Sequence, residues 1–196
     1  MFVPLSQGMT YENPNILDTI TEDLLSRFLY PRLFKKHSVL LSLGDDERIL
    51  EVGCGGGAMT LQLAKAAGSK AALTCVDLLP LWAERARRRM RAYKGVTVVE
   101  GDIQHVGLPG GPFTLVFIHY MLHDVPRRNR AAIAGRLAGV LGEGGRIFIC
   151  EPTKDSHGMP AGEIDELFAD AGLEKVGGAA DSFPIMGKMY RALYKK

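Results

Sequence analysis

The chain has 196 residues, 46% of them hydrophobic and 23% charged, which suits a single globular domain with a sizeable core. Its formal net charge of +2 is too small to mark a nucleic-acid or membrane-surface protein, whose basic residues form a concentrated footprint. No run approaches the roughly 18 consecutive apolar residues of a membrane span.

In chain order, residues 1–44 read as an N-terminal helical cap and residues 45–196 as the core of the same domain. In the cap, Ile16, Leu17, Ile20, Leu24, Leu25, Phe28 and Leu29 recur at helical intervals, predicting an amphipathic helix interrupted near Pro31 and followed by another. Then come alternating strands and helices. The strands are expected at 48–53, 71–77, 96–101, 113–120 and 146–151, where Val, Ile, Leu and Phe dominate. Helices are expected from Ala58 to Ala67, Pro80 to Tyr93 and Pro126 to Leu141, with a proline in the first turn of the last two and Gly95 and Gly142 just past their ends. This order predicts an α/β fold, a doubly wound, mostly parallel sheet with helices on both faces. A helix from Ala161 to Ala171 and two late β-like stretches, LEKVGGAA and KMYRALYKK, follow. Strands without a helix between them must pair antiparallel.

Three cysteines, Cys54, Cys75 and Cys150, are odd in number and irregularly spaced within or beside apolar runs, which reads as reduced core thiols of a cytoplasmic protein. MFVPLSQGMT lacks the charged-then-apolar order of a signal peptide.

RILEVGCGGGAMTL carries the strongest chemical signal. A strand that stops at Gly53, Gly55 and Gly57 and restarts as a helix presents bare N–H groups to a ligand at the strand tips. Asp77, closing the second strand, lies where an acid pairs with ribose hydroxyls. Asp102, after the third strand, can accept from an adenine amino group, with Ile103 against one side of the ring and Leu78 on the other. The glycine turn alone also satisfies a dinucleotide pattern, leaving a nicotinamide-dependent reductase open. Glu51, Asp102 and the lack of a Tyr-x-x-x-Lys pair weigh against it.

HYMLHDVP supplies a candidate general base, His123, with Asp124 beside it to orient the imidazole. His119 and His123 are four apart, but a strand end falls between them and no third ligand is near in sequence, so no metal is expected. His105 and His157 read as loop residues. The arginines of ERARRRMRAYK face away from Trp82, Ala86, Met90 and Tyr93 and read as a solvated helix face, which argues against RNA as the partner.

ILEVGCGGGAMTLQLA, CVDLLP, EGDIQHV, FTLVFIHYMLHDVP and LAGVLGEGGRIFICEP together resemble the successive motifs of class I S-adenosylmethionine-dependent methyltransferases, from about Glu47 to Pro152. The resemblance implies a Rossmann-like seven-stranded sheet with an antiparallel last strand and S-adenosylmethionine as cofactor. It also implies that Glu51, Gly53, Gly55 and Gly57 hold the methionine portion, Asp77 and Leu78 the ribose and adenine edge, and Asp102 and Ile103 the adenine. His119 and Tyr11 are implied contacts of the methionine part, and Glu151 with Pro152 borders the acceptor pocket. LHDV is similar to the LHDW-type segment of small-molecule O-methyltransferases, whose His is the base, and to the quinone-biosynthesis group; Val125 stands where the former usually has Trp. The expected activity is methyl transfer to an oxygen or carbon of a small molecule. An RNA methyltransferase, a reductase and a silent cofactor-binding subunit are the alternatives, and the oligomeric state is open.

Overall fold

The computed structural model describes residues 24, 28–154, 157–183 and 187–196. Tyr11 and most of the expected first helix lie outside them. Beyond Leu29, Pro31 opens a new helix, α1 (Tyr30–Leu41), as a first-turn proline allows.

The order is then β1 (Arg48–Val52), α2 (Ala58–Ala66), β2 (Ala72–Asp77), α3 (Pro80–Met90), β3 (Val96–Glu100), β4 (Phe113–His119), a 3-10 turn (Leu122–Asp124), α4 (Arg127–Gly139), β5 (Leu141–Lys154), β6 (His157–Gly158), α5 (Ala161–Asp170), β7 (Glu174–Phe183) and β8 (Gly187–Lys195). Among the described residues the main sheet runs β3-β2-β1-β4-β5-β8-β7, with β6 paired to β5 off that path. Its first five strands are parallel, and β8 pairs antiparallel with both β5 and β7. The strand order reverses between β1 and β4, and a crevice opens beyond the carboxyl ends of strands at such a reversal.

Two apolar layers sandwich the sheet. On one face Leu33, Phe34 and Leu41 of α1 and Met59 and Leu63 of α2 cover Ile49, Leu115, Phe117, Phe148 and Cys150. On the other, Ile133 and Leu137 of α4 with Ile164 and Phe168 of α5 cover Leu50, Val116, Ile118, Ile147 and Ile149. Successive strand residues alternate between these layers, so parity decides which face each site residue joins. Burial of both faces explains why Ile49 and Leu50 of β1 and Leu115 to Ile118 of β4 are consecutive apolar residues.

β5 begins five residues earlier than the sequence predicts and ends three later. Leu141 pairs with Phe113 ahead of a register shift between Phe113 and Leu115, so Gly142 lies inside a strand rather than past a helix. At the far end, Thr153 and Lys154 turn back onto β6, placing His157 in a short strand and not a loop. At the end of the strands opposite the crevice, Arg146 of β5 donates to Glu47 at 2.6 Å and to the Leu41 carbonyl at 2.8 Å, tying the end of α1 to the sheet.

Candidate functional site

The turn after β1 is built on left-handed glycines: Gly53, Gly55 and Gly57 have φ of 71°, 52° and 79°, values L side chains rarely adopt. Their surroundings differ. A Cβ on Gly53 would stand 2.3 Å from Met121 Cγ, so this glycine admits the segment that follows β4. A Cβ on Gly57 would stand 3.2 Å from the Ala86 backbone, so this glycine serves close packing of α2 on α3. A Cβ on Gly55 would meet nothing within 4 Å, and this backbone faces open space.

Asp77 ends β2, and its two carboxylate oxygens accept from the backbone N–H of Gly55 at 2.7 Å and of Leu79 at 3.0 Å. The carboxylate thereby fixes the turn it faces. Burial pushes its pKa up, while the Leu79 and Gly55 N–H groups oppose the shift. Beyond it Leu78 is 64% exposed, an apolar side chain presented outward at a strand tip. Asp102 accepts from the Gln104 N–H at 2.8 Å, which closes a turn placing Ile103 in the core.

Glu51 is buried in β1, and among the described residues its Oε2 has no hydrogen-bond partner. Burial pushes its pKa up to about 8; the Thr60 hydroxyl opposes the rise and the charge of Asp77 adds to it. A carboxyl so buried holds its proton unless a cation is brought beside it.

His123 is where the structure corrects the sequence reading most. The expectation gives Asp124 the task of orienting its imidazole. Instead Nδ1 lies 2.6 Å from Glu151 Oε2, while Asp124 Oδ1 is 3.3 Å from Nε2. Glu151 is fully buried, and its other oxygen accepts from the N–H groups of Met121 and Leu122 at 3.0 and 2.8 Å. One carboxylate therefore fixes both the ring and the backbone that carries it. Arg130 completes the frame by donating to the carbonyls of His123 at 2.7 Å and Val125 at 2.8 Å. Burial alone would push the His123 pKa down, but the hydrogen bond and charge of Glu151, helped by Asp124, outweigh it and Arg130, and the pKa rises above 6.5.

His119 joins none of this. From Leu115 onward the odd-numbered residues of β4 face α1, and the His119 ring packs with Tyr30, His37, Phe117 and Tyr120. Burial pushes its pKa down to about 4; the charge of Glu151 opposes the shift and His123 adds to it. The implied contact with a cofactor's methionine part thus meets an imidazole turned toward α1. His105 is exposed.

With this geometry in view, the family described as a methyltransferase domain matches residues 49–145, spanning the glycine turn, both strand-tip acids and the His123 segment. The chain belongs to the class I S-adenosylmethionine-dependent methyltransferases. Within this family, an aklanonic acid methyltransferase from Streptomyces sp. (strain C5) is 31% identical over 108 residues, 54% of this chain and 48% of that protein. A ubiquinone/menaquinone biosynthesis C-methyltransferase from Azotobacter vinelandii is 26% identical over 180 residues, 88% of this chain and 70% of that protein. The chain thus spans about half the length of the first relative and more of the second. Among solved structures, the N-methyltransferase NodS from Bradyrhizobium japonicum WM9 in complex with S-adenosyl-L-homocysteine superposes with a TM-score of 0.71 at 20% identity, covering 88% of this chain and 90% of that one. That likeness concerns the fold. In this chain, sequence reasoning missed two residues beside His123. Glu151 appeared only as a pocket border and Arg130 not at all, because 28 and seven residues of chain separate them from the ring they frame.

Proposed function

We propose that this chain transfers a methyl group from S-adenosylmethionine to an oxygen or carbon of a small-molecule acceptor, with His123 as general base and Glu151 as the residue that positions it. When bound, the cofactor supplies a methyl on a sulfonium whose leaving group is a neutral thioether. The chain therefore need not protonate a leaving group; it must align the acceptor and take its proton. The observation that carries the reading is the Glu151-held imidazole, which follows β4 beside the segment that fits against Gly53.

The residues present fit the cofactor. The open backbone at Gly55 admits close approach, and the partnerless Oε2 of Glu51 suits the ammonium of the methionine part. Asp77 would hold the ribose hydroxyls with the lone pairs its backbone contacts leave over. Leu78 and Ile103 would flank the purine, with Asp102 at its amino edge. On the acceptor side, the His123 side chain is 1% exposed, with Tyr120 edge-on to it at 4.9 Å, so the side chains around the ring must give way to an acceptor. The proton taken by Nε2 leaves by way of Asp124, whose side chain is 34% exposed. Relatives named for aklanonic acid and for ubiquinone/menaquinone C-methylation support a small-molecule acceptor.

S-adenosylhomocysteine should raise the melting temperature by several degrees when present at about 100 times its Kd, a stabilisation of roughly 2.7 kcal/mol. NADH should not. Stabilisation by NADH alone would assign the crevice to a reductase. A screen of phenols, quinols and small acids with labelled methyl donor then identifies the acceptor.

Glu51 provides a pH signature. Its carboxyl holds a proton in the folded chain up to about pH 8 but loses it near 4.5 in the unfolded one, so its contribution to stability falls as pH rises from the lower value through the higher. Glu51→Gln should therefore melt higher than the parent at pH 9, by a margin that shrinks toward pH 5. Saturating S-adenosylhomocysteine, through its ammonium, should flatten the parent's trend. Melting curves that stay parallel across this range would refute the buried, partnerless carboxyl.

A further inference from the structure

On the α1 face of the sheet, away from the His123–Glu151 pair, three side chains that commonly ligate metals meet. His119 ends β4, and its register partner on β5 is Cys150, so both point into the layer formed with Phe117 and Phe148. Over them lies α1, whose buried stripe is Leu33, Phe34, His37 and Leu41. His37 and Cys150 are fully buried, and His119 is 8% exposed. One ligand atom from each of the three falls within 4.8 Å of the other two.

The polar accounting there does not close with protein groups alone. Among the described residues neither ring nitrogen of His37 has a hydrogen-bond partner, nor does Nε2 of His119. Leaving a buried donor or acceptor unsatisfied costs about 1–3 kcal/mol, and a leucine would fill the helix stripe without that cost. Buried orphan nitrogens gathered around a thiol point to a missing ligand.

We propose that His37, His119 and Cys150 form a buried Zn2+ site that pins α1 to the sheet. Two imidazoles and one thiolate make a borderline-to-soft donor set that suits zinc rather than magnesium or calcium. Tetrahedral bonds of about 2.0–2.3 Å imply ligand separations of roughly 3.3–3.7 Å, so no two of the three atoms need close by more than about 1.5 Å on binding. The Sγ–Zn bond forms as the thiol proton passes to solvent, and each imidazole gives a neutral nitrogen lone pair. Nothing is oxidised or reduced. Lys36 and Arg191 oppose a cation here, whereas Glu151 and Asp181 favour it; Arg191 Nε is 2.6 Å from Asp181 Oδ2, which offsets its charge. Three protein ligands leave a fourth position for water.

The test uses the full chain, freed of metal by a chelator, kept reduced without thiols and titrated with Co2+. Saturation at one equivalent is expected, with a thiolate-to-cobalt charge-transfer band in the near ultraviolet and the intense visible bands of a tetrahedral site, all removed by Zn2+. Cys150→Ser should lose the charge-transfer band. His37→Phe, which keeps α1 apolar, should weaken Zn2+ binding beyond the roughly 10–100-fold that loss of an outer-shell partner costs. The proposal falls if no saturable spectrum develops. It falls equally if the band survives in Cys150→Ser, which would place the metal at another thiol, or if His37→Phe binds Zn2+ as tightly as the parent. Should Cys150→Ser not fold, His37→Phe decides alone. None of these readouts involves the methyl donor, so failure here leaves the proposed activity standing, and the reverse.

Discussion

Glu151→Gln should lower turnover by about two to four orders of magnitude while leaving S-adenosylhomocysteine affinity close to the parent's. The reason is the direction of the hydrogen bonds. Oε1 of Glu151 accepts from two backbone N–H groups, those of Met121 and Leu122. In the variant, the one remaining amide oxygen stays with those two donors, and the NH2 group faces Nδ1 of His123. The ring must then accept at Nδ1 and carry its proton on Nε2, the tautomer that cannot act as base there. His123→Ala should lose a similar factor, and the double variant little more than either single one, because the two act as a unit. The pH profile separates catalysis from mere folding. In the parent, activity rises with pH as the imidazole loses its proton, with a midpoint above 6.5 because Glu151 and Asp124 outweigh burial. In Glu151→Gln the first of those charges is gone, so the midpoint moves to lower pH even as the plateau falls. Single-turnover rates measured from pH 5 to 9 on a substrate found in the acceptor screen provide the check. A plateau near the parent's value would leave His123 structural.

What the sequence made legible follows from how local each signal is. The glycine turn, Asp77 and Asp102 occupy strand tips, and a strand tip is a one-dimensional feature: an apolar run that stops at glycine or an acid. Their placement at the crevice came from strand order alone. The His123 pair is different. Its partner lies on β5, and which β5 residue reaches the ring depends on the register of β5 against β4, set by the irregularity between Phe113 and Leu115. Asp124, adjacent in sequence, was the natural candidate, but the 3-10 turn at Leu122–Asp124 presents it to the other ring nitrogen. His37 was invisible for the same reason. In a helix stripe with Leu33, Phe34 and Leu41 it reads as an ordinary member of an amphipathic pattern, and its chemistry emerges only once His119 and Cys150 are register neighbours beneath it. The same parity turns His119 toward α1, beside His37 and Cys150.

Asp77→Ala should weaken S-adenosylmethionine and S-adenosylhomocysteine binding by about 100-fold or more, the largest expected effect on the cofactor side. Two losses combine. Hydrogen bonds from ribose hydroxyls to a charged acceptor are each worth about 1.5–3 kcal/mol, and removing the carboxylate forfeits both. The Gly55 and Leu79 N–H groups lose their acceptor as well, so the turn that presents open backbone to the ligand is no longer fixed. Asp77→Asn sorts these apart. Its single amide oxygen can serve one of the two backbone donors, and its NH2 group cannot accept from a hydroxyl, so Asn should recover part of the lost thermal stability but little of the affinity. Calorimetry with S-adenosylhomocysteine on both variants, beside their melting curves, gives the two numbers. If affinity stays at the parent's level while stability drops, Asp77 acts on the turn alone and the ribose contact is wrong. One further consequence ties the acids together: the charge of Asp77 helps raise the Glu51 pKa, so in Asp77→Ala the Glu51 midpoint should move down from about 8, and the loss of stability toward alkaline pH should end earlier. A chain in which both acids face one crevice must show this coupling; a chain in which they titrate independently would not.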